Sequence, residues 1–323
     1  MFGVDGLYSE IVDAYQWTDI RSIPIGTLPD GRTRYGPLNG NPSTNQDLLM
    51  TNESRGRTIV GVARFSKNWS NGLSIDGSYT RTSAKDTNAL TSATAGSLYG
   101  NNAFSDPNFA AYGRSIYEIK DQWKLGIDFK HAFYRDYKTR FSLFGEYRSG
   151  RPYSVTGLDR GTGRLPVYGT VGNGGRVLLY VPEVNDTKVV FDSVASETAF
   201  NQLVGDLGLE KYRGSVLPKN SQTSPDFFKV DLHISQEIPT LVGRSRVKLF
   251  ADVENVLNLI NSKWGSLRQV SFPYTAAVVT VECAASSGAN CTQYRYSRVT
   301  PPNLSLNSRQ SLFQIRIGAR FEF

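Results

Sequence analysis

FQIRIGARFEF, residues Phe313 to Phe323, is the stretch of sequence that decides the fold class. Every odd-numbered position in it is apolar, and every even-numbered position is Gln, Arg, Gly or Glu. Because side chains along a strand point alternately to opposite faces, this period of two predicts a strand with one apolar and one polar face. A strand of a soluble sandwich can show the same alternation, but it would seldom finish on Phe.

The same alternation predicts further strands upstream, most of them arranged as hairpins. One pair of segments flanks residues 239–245, which contain the turn formers Pro and Gly. A second pair flanks a polar turn, and a third flanks Asn71 and Gly72, an Asn-Gly signal for a two-residue hairpin loop. The predicted strands before the last one are 2–15, 58–66, 73–80, 123–130, 141–148, 228–235 and 247–254.

The connections between these strands alternate between short and long. Short links follow Ser66, Phe133 and Ile238, whereas long segments cover 17–56, 83–115, 154–226 and 259–310. Outer-membrane barrels have short periplasmic turns on one side and long extracellular loops on the other. The regularity therefore predicts an all-β chain whose roughly eight antiparallel strands belong to a transmembrane β-barrel.

The composition is consistent with a strand-rich fold and argues against nucleic acid as a partner. Aromatic residues make up 12% of the 323 residues, and Tyr, Phe and β-branched residues favour half-buried strands. The longest apolar runs, such as 276–279, are far shorter than the roughly 18 residues of a membrane-spanning helix, so a membrane-spanning form must be a barrel. The net charge of +7 is scattered without a basic block, so nucleic acid is not an expected partner.

The long connections carry signals of structure and of function. Residues 196–209 predict a short helix capped by Ser196, and 265–298 predict a hairpin. Cys283 and Cys291 lie in that hairpin and are candidates for a local disulfide, with two free thiols as the alternative. Loops of this length are usually functional. Candidates for ligand contact in the loops are Tyr153, Arg160, Tyr168, Tyr212 and Trp264.

Residues suited to catalysis or metal binding are sparse. His131 and His233 lie on separate predicted strands without a cluster around either, and a general base needs a positioned partner. The chain contains no G-x-S-x-G elbow and no H-E-x-x-H pair. We therefore expect a protein that is not an enzyme and that uses no cofactor or metal.

In a barrel, the polar face of these strands would line a hydrated lumen and the apolar face would contact lipid. Leu125, Leu143, Leu249 and Ile317 are expected to face lipid. The candidates for lumen-facing side chains are Lys124, Asp128, Glu146, Arg148, Lys248, Asp252, Glu254, Arg316 and Arg320.

Several short motifs carry a resemblance to a known family. The last strand, with Phe321 and Phe323 at its end, resembles the terminal strand of outer-membrane proteins. VKLFADVENVLNLIN (247–261) and YRSGRPYSVTG (147–157) are similar to elements of TonB-dependent receptors. The spacing of KYRG (211–214), LPKN (217–220) and DLHISQEIP (231–239) resembles the Oar-like subgroup of these receptors.

The resemblance implies a 22-stranded barrel plugged by an N-terminal domain, of which residues 1–323 correspond to the C-terminal barrel portion. We expect the plug domain, the TonB box and the signal peptide to be absent from this chain. The implied location is the outer membrane of a Gram-negative bacterium. The implied partners are outer-membrane lipid, the barrel-assembly machinery that reads Phe321 and Phe323, and TonB through the missing N-terminal part. The ligand is unknown.

Two alternatives belong to other functional classes. A self-contained eight-stranded barrel would act as an adhesin or membrane anchor, since eight strands are the smallest such barrel. A soluble β-rich module would bind a ligand such as carbohydrate, and its outward faces would not be continuously apolar. Closure of the barrel distinguishes the self-contained barrel from a segment of a larger one, because only the self-contained barrel requires the first and last strands of this chain to pair.

Overall fold

The computed structural model describes residues 1–40, 45–161, 163–240 and 245–323. Strands dominate its regular structure, so the predicted all-β class is confirmed. The strands, in chain order, are β1 (Phe2–Glu10), β2 (Ala14–Asp19), β3 (Ser22–Thr27), β4 (Thr33–Pro37), β5 (Leu48–Glu53), β6 (Arg57–Asn68), β7 (Leu73–Asp86), β8 (Gly113–Arg114), β9 (Asp121–Tyr134), β10 (Tyr137–Arg148), β11 (Pro152–Asp159), β12 (Val177–Leu178), β13 (Tyr180–Val181), β14 (Val189–Phe191), β15 (Ser215–Val216), β16 (Gln222–Thr223), β17 (Phe227–Pro239), β18 (Arg246–Glu254), β19 (Arg268–Val270), β20 (Thr275–Ser287), β21 (Asn290–Ser297), β22 (Leu304–Leu306) and β23 (Gln314–Glu322).

The helices are few and short. The α-helices are α1 (Ala95–Asn101), α2 (Val194–Asp206), α3 (Val256–Ile260) and α4 (Ser308–Ser311), and 3-10 turns cover Leu38–Gly40, Gly174–Arg176 and Glu210–Tyr212. Within the described ranges, no helix has the length and apolar character needed to cross a membrane.

The largest sheet is an antiparallel meander of the long strands. Its order is β1, β6, β7, β9, β10, β17, β18 and β23, with β8 paired to β7, so each of the eight strands in this order pairs with the next of the eight in the sequence. β6 and β7 pair from Arg57↔Lys85 to Asn68↔Ser74. β1 and β23 form the two edges, and within the described residues they do not pair with each other. The sheet is therefore open and does not close into a barrel.

The two ends of this sheet differ in the length of their connections. β6–β7 and β9–β10 are joined by short turns, and β17–β18 is also a short link. Most of the predicted 239–245 turn lies outside the described residues, because 241–244 are not among them. The four long connections, 11–56, 87–120, 149–226 and 255–313, all leave and re-enter at the opposite end. We call the ends the turn end and the loop end.

The pairing register gives the sheet one apolar and one polar face. Tyr79, Trp123 and Tyr147 are direct partners across β7, β9 and β10, and the next row, on the other face, pairs Lys124 with Glu146. The apolar face remains open to the surroundings, because Trp123 is 54% exposed and Ile317 80% exposed. The hydrophobic core of the molecule must therefore lie elsewhere.

The core lies in the loop layer, the name we give to the four long connections together. Each connection supplies buried residues to one cluster, for example Leu28, Phe104, Phe200 and Tyr294 in chain order. At its centre is a mixed sheet in which β11 and β20 run parallel and β20 and β21 form a hairpin. The four connections thus fold as one packed layer and do not extend separately from the sheet.

A disulfide joins Cys283 and Cys291 within the β20–β21 hairpin. The Cα atoms are 5.8 Å apart, inside the usual range for a disulfide. These are the two cysteines that the sequence offered for a local bridge in a hairpin at 265–298.

Two predicted boundaries are wrong. The segment 2–15 is not one strand, because β1 ends at Glu10 and β2 pairs with β5 inside the loop layer. Alternation of side chains does not reveal that the chain changes sheet. Helix α2 starts earlier than predicted, and its N-cap is Ser193, whose side chain accepts a hydrogen bond from the Ser196 N–H.

The turn at Gly72 provides a test of the meander. Gly72 has φ +91°, and a Cβ atom there would lie 2.0 Å from the carbonyl oxygen of Lys130. We expect Gly72→Ala to lower the free energy of unfolding by at least about 2 kcal/mol, because both the left-handed backbone and the clash oppose it. Urea unfolding measures this effect. Gly61→Ala is the matched control, since a Cβ atom at Gly61 meets nothing within 4 Å. Equal stabilities of the two variants would contradict the turn geometry.

Candidate functional site

A row of hydrogen-bonded polar side chains crosses the polar face of the main sheet. Asp128, Ser142, His233, Asp252 and Arg316 are direct partners on β9, β10, β17, β18 and β23. Ser142 donates to Asp128 at 2.5 Å, and His233 Nδ1 lies 2.5 Å from Asp252 Oδ1. Arg316 donates from Nε and Nη2 to Asp252 Oδ2, at 2.9 and 2.7 Å. The row therefore brings polar and charged side chains from five strands together.

Charges of both signs surround this row. Arg140 pairs with Asp128 at 2.5 Å, and Lys229 pairs with Asp231 at 2.9 Å. Near the turn end, Arg246 pairs with Glu237 at 2.8 Å. The ion pairs are partly exposed, so each contributes little to stability. They are more useful as an indication of what this face of the sheet contacts. A face that carries balanced, paired charges is suited to contact with water.

The structure brings the predicted lumen-facing residues onto this one face. The alternating register places there Lys124, Asp128, Glu146, Arg148, Lys248, Asp252, Glu254, Arg316 and Arg320. Lys124 faces Glu146 directly, whereas Lys248 faces Arg320 and also Glu237 on its other side. The predicted lipid-facing residues Leu125, Leu143, Leu249 and Ile317 lie on the opposite face.

A cavity lies where the polar face meets the loop layer. It has a volume of about 490 Å³ and is lined by Glu146, Arg148, Lys229, Glu254 and Arg309, among others. Arg148 donates to Gln310 at 2.9 Å, so this arginine links the sheet to the loop layer. The cavity therefore presents side chains of both charge signs at the boundary between loops and sheet.

Sequence reasoning missed the neighbourhood of His233. The expectation that neither histidine has a cluster is wrong for His233, because the β17–β18 register places it opposite Asp252, 19 positions away in the sequence. His131 lies on the apolar face, with its ring centroid 6.0 Å from that of Phe129 and 4.8 Å from that of Phe133. The register of the β17–β18 hairpin would have revealed the pair of His233 and Asp252, but predicting that register requires the exact position of the turn between the two strands.

The five predicted ligand-contact residues of the loops have different environments. Tyr153 and Tyr168 are each only 4% exposed and belong to the core of the loop layer. Tyr212 is half-buried, Arg160 is exposed and Trp264 is 52% exposed. Only the last three therefore have side-chain surface that a ligand could reach without opening the core.

Buried charged groups tie the connections of the loop layer together. Lys219 Nζ donates to Asp86 Oδ1, at the end of β7, at 2.8 Å and to the carbonyl oxygen of Thr87 at 3.2 Å, and burial lowers the pKa of this lysine. Arg176 is fully enclosed, with its guanidinium 4.4 Å from the Tyr99 ring centroid and 4.3 Å from that of Phe104. Burial likewise lowers the pKa of Arg176. Such groups are costly to bury unless they are partnered, so they specify how the connections meet.

Asp159 is the one acid for which burial moves the pKa toward neutrality among the residues described. Its Oδ2 accepts the backbone N–H groups of Val167 and Tyr168, each at 3.0 Å. Its Oδ1 has no hydrogen-bond partner in the part of the chain that the structure describes. Desolvation by burial raises the pKa of this carboxyl to about 6, although the two N–H bonds oppose the shift.

The described residues offer no group of three or more His, Cys, Asp or Glu side chains arranged to hold a metal ion. Comparisons with family models, with curated proteins and with solved structures find no match to this chain. The fold and the arrangement of side chains are therefore the basis for any assignment of function.

Asp159 makes the stability of the loop layer dependent on pH. Its pKa is about 6 in the folded chain and 3.8 when unperturbed, so between these values the folded state binds a proton that the unfolded state releases. This contribution is present below pH 4 and is lost as the pH rises to 6, by up to about 3 kcal/mol. We expect Asp159→Asn to gain stability relative to the wild type over that interval.

The measurement is the thermal midpoint of the wild type and of Asp159→Asn from pH 4 to pH 7. Asp206→Asn, at an exposed aspartate in α2, is the control and should follow the wild type. A difference between Asp159→Asn and the wild type that stays constant with pH would refute the assignment.

Proposed function

We propose that this chain is the C-terminal barrel portion of an outer-membrane receptor, of the TonB-dependent class and its Oar-like subgroup, that takes up a ligand. In this proposal the long strands span the membrane, the turn end faces the periplasm and the loop layer faces the exterior. The polar face lines the lumen and the apolar face contacts lipid. The chain acts in transport and not in catalysis.

The observation that carries the proposal is the exposed apolar face of the main sheet. On β9, Trp123 and Phe133 mark the two ends of this face, and they are 54% and 65% exposed. They are ten residue positions apart, which is about 33 Å along the strand, or about 25 Å along the membrane normal at a tilt near 40°. That height matches the apolar band of outer-membrane barrels, which aromatic residues flank on both sides.

The other features support a receptor within that setting. The row from Asp128 to Arg316 supplies a hydrated, charged wall on the face opposite the lipid. The loop layer is a large folded surface on one side only, with exposed Arg160 and Trp264 available for ligand contact. Within the described residues, β1 and β23 are open edge strands, and each can pair with a further strand of a larger barrel.

The resemblance to TonB-dependent receptors adds a specific class to these physical arguments. Its motifs fall at comparable places, where a long strand passes into the loop layer: 147–157 runs from β10 into β11, and 247–261 runs from β18 into α3. In a complete receptor, ligand captured by the loops would shift a plug, and energy delivered through TonB would open a path along the polar face. In this proposal the plug and the segment that contacts TonB belong to the N-terminal part of the receptor, which the family resemblance implies.

Photolabelling from within the bilayer tests the placement of the two faces. The chain is reconstituted into vesicles that contain a lipid with a photoactivatable group in its acyl chain, and labelled peptides are identified by mass spectrometry. We expect label at Leu125, Leu143, Leu249 and Ile317, because the apolar face would be in contact with acyl chains. Ser142, Asp252 and Arg316 lie at similar heights on the other face and serve as controls. Label on both faces alike, or on neither, would eliminate the proposal.

The size of the cellular polypeptide separates a receptor portion from a self-contained barrel. The strand count alone also suits an eight-stranded anchor, the smallest barrel of this kind. Antiserum raised against the loop layer should detect a mature outer-membrane protein much larger than 35.8 kDa, the mass of this chain. A mature band at that mass, cross-linked between β1 and β23, would establish the small barrel instead.

A further inference from the structure

The cavity between the polar face and the loop layer has the features of a binding site, and we call it the boundary cavity. Its volume of about 490 Å³ lies within the range of small-molecule sites. The main sheet contributes Arg148, Phe227 and Glu254 to its lining, among others, and α4 contributes Arg309 and Gln310. The lining therefore combines the main sheet with the last connection of the loop layer.

The two arginines of the boundary cavity lack a counterion among the described residues. Arg148 donates to the neutral amide of Gln310 at 2.9 Å, and its guanidinium lies 5.0 Å from the centre of the Phe227 ring. Arg309 has neither an ion pair nor a side-chain hydrogen bond within the described ranges. Because Gln310 and Phe227 carry no charge, both guanidinium groups remain available to an anion.

Glu254 is the acid of this cavity whose charge is also unbalanced. Its carboxylate has no partner among the residues that the structure describes. Glu146 differs, because it accepts a hydrogen bond from Gln122 at 2.9 Å. In the register, Glu146 also lies between Lys124 and Lys229. The cavity thus offers two guanidinium groups and one separate carboxylate to a ligand.

The register gives the distance between Arg148 and Glu254. Arg148 is level with Phe227 of β17, and Glu254 on β18 is level with Asp231, four positions further along β17. Because β17 lies between β10 and β18, the two Cα atoms are about 16 Å apart at usual strand dimensions. A ligand that lies between the two and makes a contact of about 3 Å at each end spans about 10 Å.

We infer that the boundary cavity binds a short peptide of about three residues, with its carboxylate at Arg148 and Arg309 and its ammonium at Glu254. An extended chain advances about 3.3 to 3.6 Å per residue, so three residues cover the distance and a single amino acid does not. A guanidinium binds a planar carboxylate through two parallel hydrogen bonds. The inference names a class of ligand for the proposed receptor and rests on that proposed function for the role of the peptide as cargo.

Gln310 competes with the peptide carboxylate for Arg148. Its side chain is exposed and lines a second cavity, of about 230 Å³, that shares Arg148 and Phe227 with the boundary cavity. The amide therefore has space to turn aside without a change in the main sheet. The exchange replaces a neutral acceptor by a charged one, which favours the peptide.

Isothermal titration calorimetry of the detergent-solubilised chain with trialanine tests this site. N-acetyl-trialanine lacks the ammonium, and trialanine amide lacks the carboxylate. We expect saturable binding of trialanine to one site per chain. Each analogue should bind at least about ten-fold more weakly, because it loses one set of charge-assisted hydrogen bonds.

Three variants assign the contacts. Glu254→Gln should weaken trialanine binding about ten-fold and remove the difference between trialanine and N-acetyl-trialanine. Arg148→Met should weaken trialanine binding by a similar factor. Gln310→Ala should tighten it, because Arg148 then has no competing acceptor. If Arg148 served only to hold α4 in place, Arg148→Met and Gln310→Ala would weaken binding alike.

Glu322→Gln and Lys130→Met are the matched controls. Both side chains are exposed on the polar face and do not line the boundary cavity. Both variants should bind trialanine as the wild type does.

Two outcomes would overturn the inference. Equal binding of trialanine and N-acetyl-trialanine would make the cavity a simple anion site, and an absence of saturable trialanine binding would remove the site altogether. Failure of this site is distinguishable from failure of the proposed function, because labelling of Leu249 and Ile317 from the bilayer reports the membrane placement without any peptide.

Discussion

The antiparallel hydrogen-bond register of the main sheet is the constraint on which the rest of the structure depends. A slip of one residue between two strands would exchange the faces of every side chain on one of them. The register keeps Leu143 opposite Leu232 and Ser142 opposite His233 on the two faces of β10 and β17. Because the pairs from β7 to β23 preserve this match, polar residues that are scattered in the sequence meet on one face, whereas β1 and β6 place Leu7, Val60 and Val62 on that face.

The distribution of burial divides the molecule into two parts with different sources of stability. The loop layer has an ordinary hydrophobic core, in which Val155, Phe200 and Val278 are fully enclosed. The main sheet lacks such a core, since Leu249 is 44% and Ile317 80% exposed on its apolar face. In water this face would be a large, costly apolar patch with a high tendency to associate. The main sheet therefore leaves its apolar face uncovered by the chain itself, whereas the loop layer encloses its own core.

The sequence predicted what depends on short-range pattern and failed where long-range register decides. Alternation located the long strands, and the lengths of the links placed the four long connections at one end. The same alternation continued through residues 2–15, where the chain leaves one sheet for another, so that boundary was wrong. Asp252 and Arg316 could be assigned to the polar face individually, but their bond to each other depends on the register between β18 and β23. Burial of Tyr153 and Tyr168 was equally hidden, because four separate connections build the core that encloses them.

In the proposed receptor, the way the loop layer is built limits where a ligand can be recognised. Its buried tyrosines and the Lys219–Asp86 pair hold the connections against one another, so these groups cannot also exchange partners with a ligand without loss of the core. Recognition must then use the exposed surface of the layer or the cavity beneath it, at Arg148 and Arg309. That cavity joins the loop layer to the polar face and contains both charge signs. Under the proposed function, a ligand released from the loops toward the sheet would therefore meet paired charges from the start, which favours a polar, hydrated cargo over an apolar one.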